Sequence, residues 1–136
     1  MSKTLHLDIY TPTGKYLTMD VDFIKVTSSV AVLGILPGHA PLISTLEVGK
    51  MVLRVHGENE IYAIGGGIIN VEKEKVTLIL DSIESRDEID VERAKEAKKR
   101  AEDRLNISKE DDAIDVNRAK LALLKAINRI DISSKD

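Results

Sequence analysis

The sequence predicts an α+β protein in which a run of short strands precedes a two-helix hairpin, and three observations carry that prediction. Turn signals recur about every 8–12 residues through positions 1–83, among β-branched runs, which is the spacing of a small β-sandwich or barrel. Past Gly67 there is neither glycine nor proline, and past Ile83 the composition turns to Ala, Lys, Glu and Arg. Finally, Ile89-Asp90-Val91-Glu92-Arg93-Ala94-Lys95 returns 25 residues later as Ile114-Asp115-Val116-Asn117-Arg118-Ala119-Lys120. Two copies fall short of the roughly three stacked units a solenoid needs, and they suit a hairpin. The expected domains are 1–84 for the strands and 85–136 for the helices.

Residues 5–10 alternate apolar and polar, a half-buried strand closed by Thr11-Pro12-Thr13-Gly14. Strands follow at 15–19 and 21–26, then a turn at Thr27-Ser28-Ser29 and a short buried strand or pair of strands over 30–36. Pro37-Gly38-His39-Ala40-Pro41 forms a stiff loop, because its prolines exclude both helix and central strand. Residues 50–55 and 61–64 make a hairpin around His56-Gly57-Glu58-Asn59, and Gly65-Gly66-Gly67 marks a sheet bend before strands at 68–71 and 76–80. Glu84 to Glu88 is a polar linker whose acids favour a helix start. Helices are expected over 89–105 and 114–130, with 106–113 as their polar connection.

Composition narrows the function. The net charge of −3 divides unevenly: 1–88 carry 8 basic and 12 acidic residues, 89–136 carry 12 and 11. The basic stretch 114–130 suits an anion or an acidic protein surface. Cysteine is absent, which excludes disulfide and thiol chemistry. Met1-Ser2-Lys3-Thr4 leads into a strand without an apolar signal core, so secretion is not expected. Apolar runs stop well short of the ~20 residues of a membrane helix, so any membrane role is expected to pass through a partner. His6, His39 and His56 show no i, i+4 pairing, and no metal site is expected. The triple glycine lacks a following Gly-Lys-Ser/Thr, which argues against a phosphate cradle. With 3% aromatics and no Trp, a nucleic-acid stacking platform is disfavoured. No nucleophile stands beside a base, so no catalytic residues are assigned.

Steps of three and four put Ala94, Ala97, Ala101 and Leu105 on one helix face, and Ala119, Ala122, Ala126 and Ile130 on the other. Such a seam permits close approach and buries little area. Val116, Leu121, Leu123, Leu124 and Ile127 add an apolar side that must meet the strand domain or another protein. Arg100 and Arg104 lie within about 20° of Arg93 around their helix, and Arg118, Lys125 and Arg129 repeat the ridge. If the seams face each other, these six cations can flank one cleft suited to a nucleotide phosphate. The plainer reading makes them solvated faces whose stems cover the alanines. Asp90 and Asp115 are candidate helix caps.

These segments together resemble the epsilon subunit family of bacterial F-type ATP synthases over essentially the whole chain. Gly34-Ile35-Leu36-Pro37-Gly38-His39-Ala40-Pro41-Leu42 is similar to the family's most recognisable segment. Gly66-Gly67-Ile68-Ile69-Asn70-Val71, followed by Val76-Thr77-Leu78-Ile79-Leu80, resembles its Gly-Gly and Val-Thr strand pair. Ile89 to Ala94 resembles the Ile-Asp-x-x-Arg-Ala motif tied to ATP binding in Bacillus-type members. The resemblance implies a ten-stranded β-sandwich followed by an antiparallel helical hairpin. It implies a non-catalytic subunit of the central stalk in a proton- or sodium-translocating synthase. The partners it implies are the gamma subunit, the membrane c-ring and, in an inhibitory state, the catalytic beta subunits. The place implied is peripheral, on the cytoplasmic face of the cell membrane.

In that family the helices permit turnover when folded down and block ATP hydrolysis when extended along gamma; ATP acts as a regulatory ligand favouring the compact state. Matched by position, the resemblance assigns nucleotide contact to Glu84, Asp90, Arg93, Lys125 and Arg129, with Ile89 and Ala94 completing the motif. Lys125 stands where Arg is usual, leaving a point charge in place of a bidentate fork. Ala31-Val32 stands where many members carry Gly-Glu. The alternatives are a mechanical inhibitor without a nucleotide site, a free-standing nucleotide-binding or nucleotide-processing protein, and an unrelated β-sandwich adaptor.

Overall fold

Eight strands precede two helices in the structure, a computed structural model that describes residues 4–107 and 116–133. The strands are β1 (Leu5–Thr11), β2 (Gly14–Val21), β3 (Phe23–Thr27), β4 (Val32–Ile35), β5 (Leu42–Val55), β6 (Glu58–Glu72), β7 (Lys75–Leu80) and β8 (Ile83–Ser85). One 3₁₀ turn, Arg86–Glu88, leads to α1 (Val91–Ile107) and α2 (Val116–Ser133). The chain forms two compact units that meet at Arg86 and Asp87.

The strand count is eight where ten were expected, because β5 and β6 are long and continuous. Their antiparallel ladder holds a single register from Leu42↔Val71 to Val55↔Glu58, skipping Glu47 and Gly66. The triple glycine therefore bends β6 without ending it. Gly66 and Gly67 sit at φ +98° and +154°, and a Cβ on Gly67 would collide with the Ile79 carbonyl. Only glycine accepts that backbone at such close approach.

The bend is what makes two layers from one sheet. Beyond it β6 pairs with β7, which runs parallel to β1, and β1 pairs with β2. Before it β6 pairs with β8, while the far half of β5 pairs with β3 and β3 with β4. Between the layers Leu5, Leu7, Ile9, Ile24, Met51, Leu53, Ile69 and Leu78 are fully buried in one cluster. This is the β-sandwich that alternation in the sequence demands.

One strand forms later than the sequence suggests. The Ser28 hydroxyl accepts from Val30 N–H (3.2 Å) and Ala31 N–H (3.0 Å) and donates to the Ala31 carbonyl (2.9 Å). That turn holds 29–31 out of the ladder, while Ser28 still bridges to Leu46, so β4 starts at Val32 and Val30 stands 87% exposed. In the loop after β4, His39 donates its backbone N–H to the Leu36 carbonyl (3.1 Å) and its Nδ1–H to the Ala40 carbonyl (2.6 Å).

In the helical unit α1 and α2 pack against each other as an antiparallel hairpin. α1 runs two residues past its expected end, taking in Asn106 and Ile107, and α2 runs on to Ser133. The remainder of the expected connection, and the expected start of the second helix at Ile114 and Asp115, lie outside the described residues.

Candidate functional site

The motif at 89–94 builds the start of α1. Asp90 is its N-cap: Oδ1 accepts from the Arg93 backbone N–H (3.1 Å), and the Asp90 carbonyl accepts from Ala94 N–H (3.0 Å). Ile89 (8% exposed) and Ala94 (fully buried) take the two positions that close a hydrophobic staple around such a cap. So three of the motif's four defining residues have a folding role, while the Arg93 side chain, exposed like that of Asp90, takes no part in the cap.

The seam is narrower than periodicity suggests. Ala94, Ala101, Ala119 and Ala126 are buried, two on each helix at a spacing of seven, whereas Ala97 is half-buried and Ala122 exposed. A seven-residue step returns to nearly the same face and a three-residue step falls short of it by about 60°. Leu105 and Ile130 are half-buried at the margins.

The basic ridges lie about 100° to the same hand of each seam. Because α2 runs back against α1, that shared hand brings both ridges to one side of the hairpin. Chain reversal also sets Arg93, at the start of α1, at the same end as Arg129, with Lys125 one turn further in. Arg100, Arg104 and Arg118 belong towards the opposite end, Arg100 about 10 Å and Arg104 about 16 Å along the axis from Arg93. The six cations are therefore two groups. Lys125 and Arg129 are half-buried, whereas Arg93, Arg100, Arg104 and Arg118 are exposed.

The arrangement can present a guanidinium fork from Arg93 and further charge from Lys125 and Arg129 to an anion along one edge. Glu84 belongs to the strand unit, on β8, paired with Ala63 of β6. Among the described residues no group of three His, Asp or Glu is placed to hold a metal ion.

Two other features were not read from the sequence. Thr18 donates to Asp8 Oδ1 (2.6 Å), and this bond, aided by the charges of Lys15, His6 and Lys75 against the opposing effect of burial, holds the Asp8 carboxyl below its ordinary pKa. Loop 38–41 and the turn 72–75 enclose an open depression of about 710 Å³.

Comparison with known proteins covers the whole of this architecture. Residues 4–86 match the family model described as ATP synthase, Delta/Epsilon chain, beta-sandwich domain, and 87–134 match its long alpha-helix domain. The chain is 40% identical over 109 residues to the ATP synthase epsilon chain of Bacillus subtilis, an alignment spanning 80% of this chain and 83% of that one. It is 43% identical over 109 residues to that of Priestia megaterium, spanning 80% and 81%. Among solved structures, a chain of the Euglena gracilis mitochondrial ATP synthase assembly superposes with a TM-score of 0.79 at 21% identity, covering 92% of this chain and 78% of that one. A chain of the Tetrahymena thermophila mitochondrial ATP synthase central stalk and c-ring gives 0.55 at 19% identity, covering 65% and 71%. At those identities the two structures speak for the fold alone.

Proposed function

Since the chain belongs to the ATP synthase delta/epsilon family, we propose that its sandwich docks the rotor and that its hairpin is an ATP-sensitive brake on hydrolysis. Membership makes it an accessory, non-catalytic subunit of the synthase, and in this proposal it is a part of the central stalk. Among the described residues no helix is long and apolar enough to cross a membrane, and in this proposal attachment is peripheral, through the complex.

The docking half draws support from what the sandwich leaves uncovered. Ile68 and Ile79 pair across β6 and β7 on the outer face, Ile43 lies on the neighbouring β5, and all three are exposed. Val30, Val32 and Leu36 project around β4, and Val32 stands where many members carry an acid. In this proposal such surfaces meet gamma and the c-ring on the cytoplasmic side. The hairpin in turn keeps Leu121 (45% exposed) and Leu124 (49%) available for gamma or the catalytic beta subunits in an extended state.

The single observation behind the brake is the hairpin's alanine seam with Arg93 and Arg129 at one end of it. ATP bound there would link the two helices and stabilise the compact state; Asp90, Lys125 and Glu84 join the site by family position. Calorimetric titration of the full chain with ATP tests this. Saturable binding lost in Arg93→Ala is expected; saturable binding that Arg93→Ala leaves unchanged would move the site elsewhere, and no binding would favour the purely mechanical brake.

A further inference from the structure

The outer face of β3, β4 and β5 carries a groove that the nucleotide reading leaves unused. Strand register brings its residues together: Phe23 pairs with Arg54, Lys25 with Val52 on one side and Gly34 on the other, and Lys50 lies one step along β5. The result is a cleft of about 440 Å³ with an apolar floor and three exposed cations, Lys25, Lys50 and Arg54. No carboxylate is among its lining residues, although 1–88 carry more acids than bases, 12 against 8.

The groove is also ordered for recognition. The Arg54 guanidinium lies 5.3 Å from the centre of the Phe23 ring, and its Nε–H donates to Asn59 Oδ1 (3.2 Å). A guanidinium held by ring and amide loses less freedom on binding than a loose one. Gly34 keeps the floor open, since a Cβ there would press on the Phe23 ring at 3.2 Å. Beside it β4 ends the sheet order, so its outer edge has no strand neighbour among the described residues.

We infer that the groove formed by Phe23, Lys25, Gly34, Lys50 and Arg54 docks an extended acidic segment of a partner protein. Carboxylates on one side of such a segment meet the three cations while its alternate apolar side chains meet Val52 and Ile61. Charge complementarity selects the partner: the groove concentrates positive charge on an otherwise acidic unit.

The test titrates the full chain with a labelled peptide alternating glutamate and valine, with the lysine–valine peptide as control, and maps backbone amide shifts. Saturable binding that weakens with salt, shifts confined to β3, β4 and β5, and an about tenfold loss in Lys25→Glu/Arg54→Glu are expected. Circular dichroism checks that variant's fold, and Lys25→Gln/Lys50→Gln gives a milder second variant at exposed positions. Equal binding of the lysine peptide, affinity unchanged in the folded variants, shifts on another face, or displacement of the peptide by inorganic triphosphate at matched concentration would each overturn the inference.

Discussion

The sandwich and the hairpin are held by the same force in very different amounts. Between the sheet layers whole Leu, Ile and Met side chains reach zero exposure; in the helical unit the buried residues described are Ile89, four alanines and Ile132. A fully buried leucine stabilises by about 1.5–3 kcal/mol, whereas a single carbon contributes about 0.8 kcal/mol. Removing the hairpin from its packed state therefore costs far less than opening the sandwich. In the proposed function, ATP binding, of the order of 2.7 kcal/mol at a hundredfold excess over Kd, would decide the state of the hairpin while the sandwich stays folded.

The largest expected effect breaks the strong side of this contrast. Leu78→Ala removes a fully buried side chain from the sandwich and should lower its stability by about 2–5 kcal/mol in urea unfolding. A loss near zero would mean that the core is not what holds this unit. On the weak side, Ala101→Leu overfills the seam and should destabilise α1 by about 1–3 kcal/mol, read from its amide exchange, with sandwich amides unchanged.

Asp90→Ala removes the cap and should cost about 1 kcal/mol, again confined to the hairpin, while Asp90→Asn should restore most of it. If Asn restores the helix but not ATP binding, the carboxylate's charge serves the ligand as well as the fold.

The smallest effect is a pH dependence within the sandwich. Asp8 has its folded pKa lowered, first by the Thr18 hydroxyl, so its stabilisation is present above the unfolded pKa and lost as pH falls through the folded one. Thr18→Val should raise the Asp8 pKa, followed by NMR. Its destabilising effect should be full above about pH 4 and fade in stronger acid.

Much of this was legible because burial in a half-covered sheet imposes period two, and the expected strands along 5–26 and 76–80 stand within a few residues of β1, β2, β3 and β7. The lengths of β5 and β6 were not, because continuity through Gly65–Gly67 depends on which strands pair on each side of the bend. Val30 looked like core and is exposed, since Ser28 closes a turn that only the folded hydrogen bonds reveal. In the hairpin, the cap at Asp90 and the repeated seam were readable, whereas the division of the cations into two ends required the direction of α2 relative to α1. The groove was invisible for a similar reason. Lys25, Lys50 and Arg54 are ordinary strand cations until the β3–β5 register sets them side by side.

The contrast between the two units is tested most directly by hydrogen exchange of the full chain, with and without saturating ATP, comparing amides of α1 between Ala94 and Ala101 with those of β7. ATP should slow exchange in α1, by a factor near one hundred at a hundredfold excess over Kd, and leave β7 unchanged. Equal slowing in both units, or none in α1 under saturation, would contradict the account of the hairpin as the ligand-controlled part of the molecule.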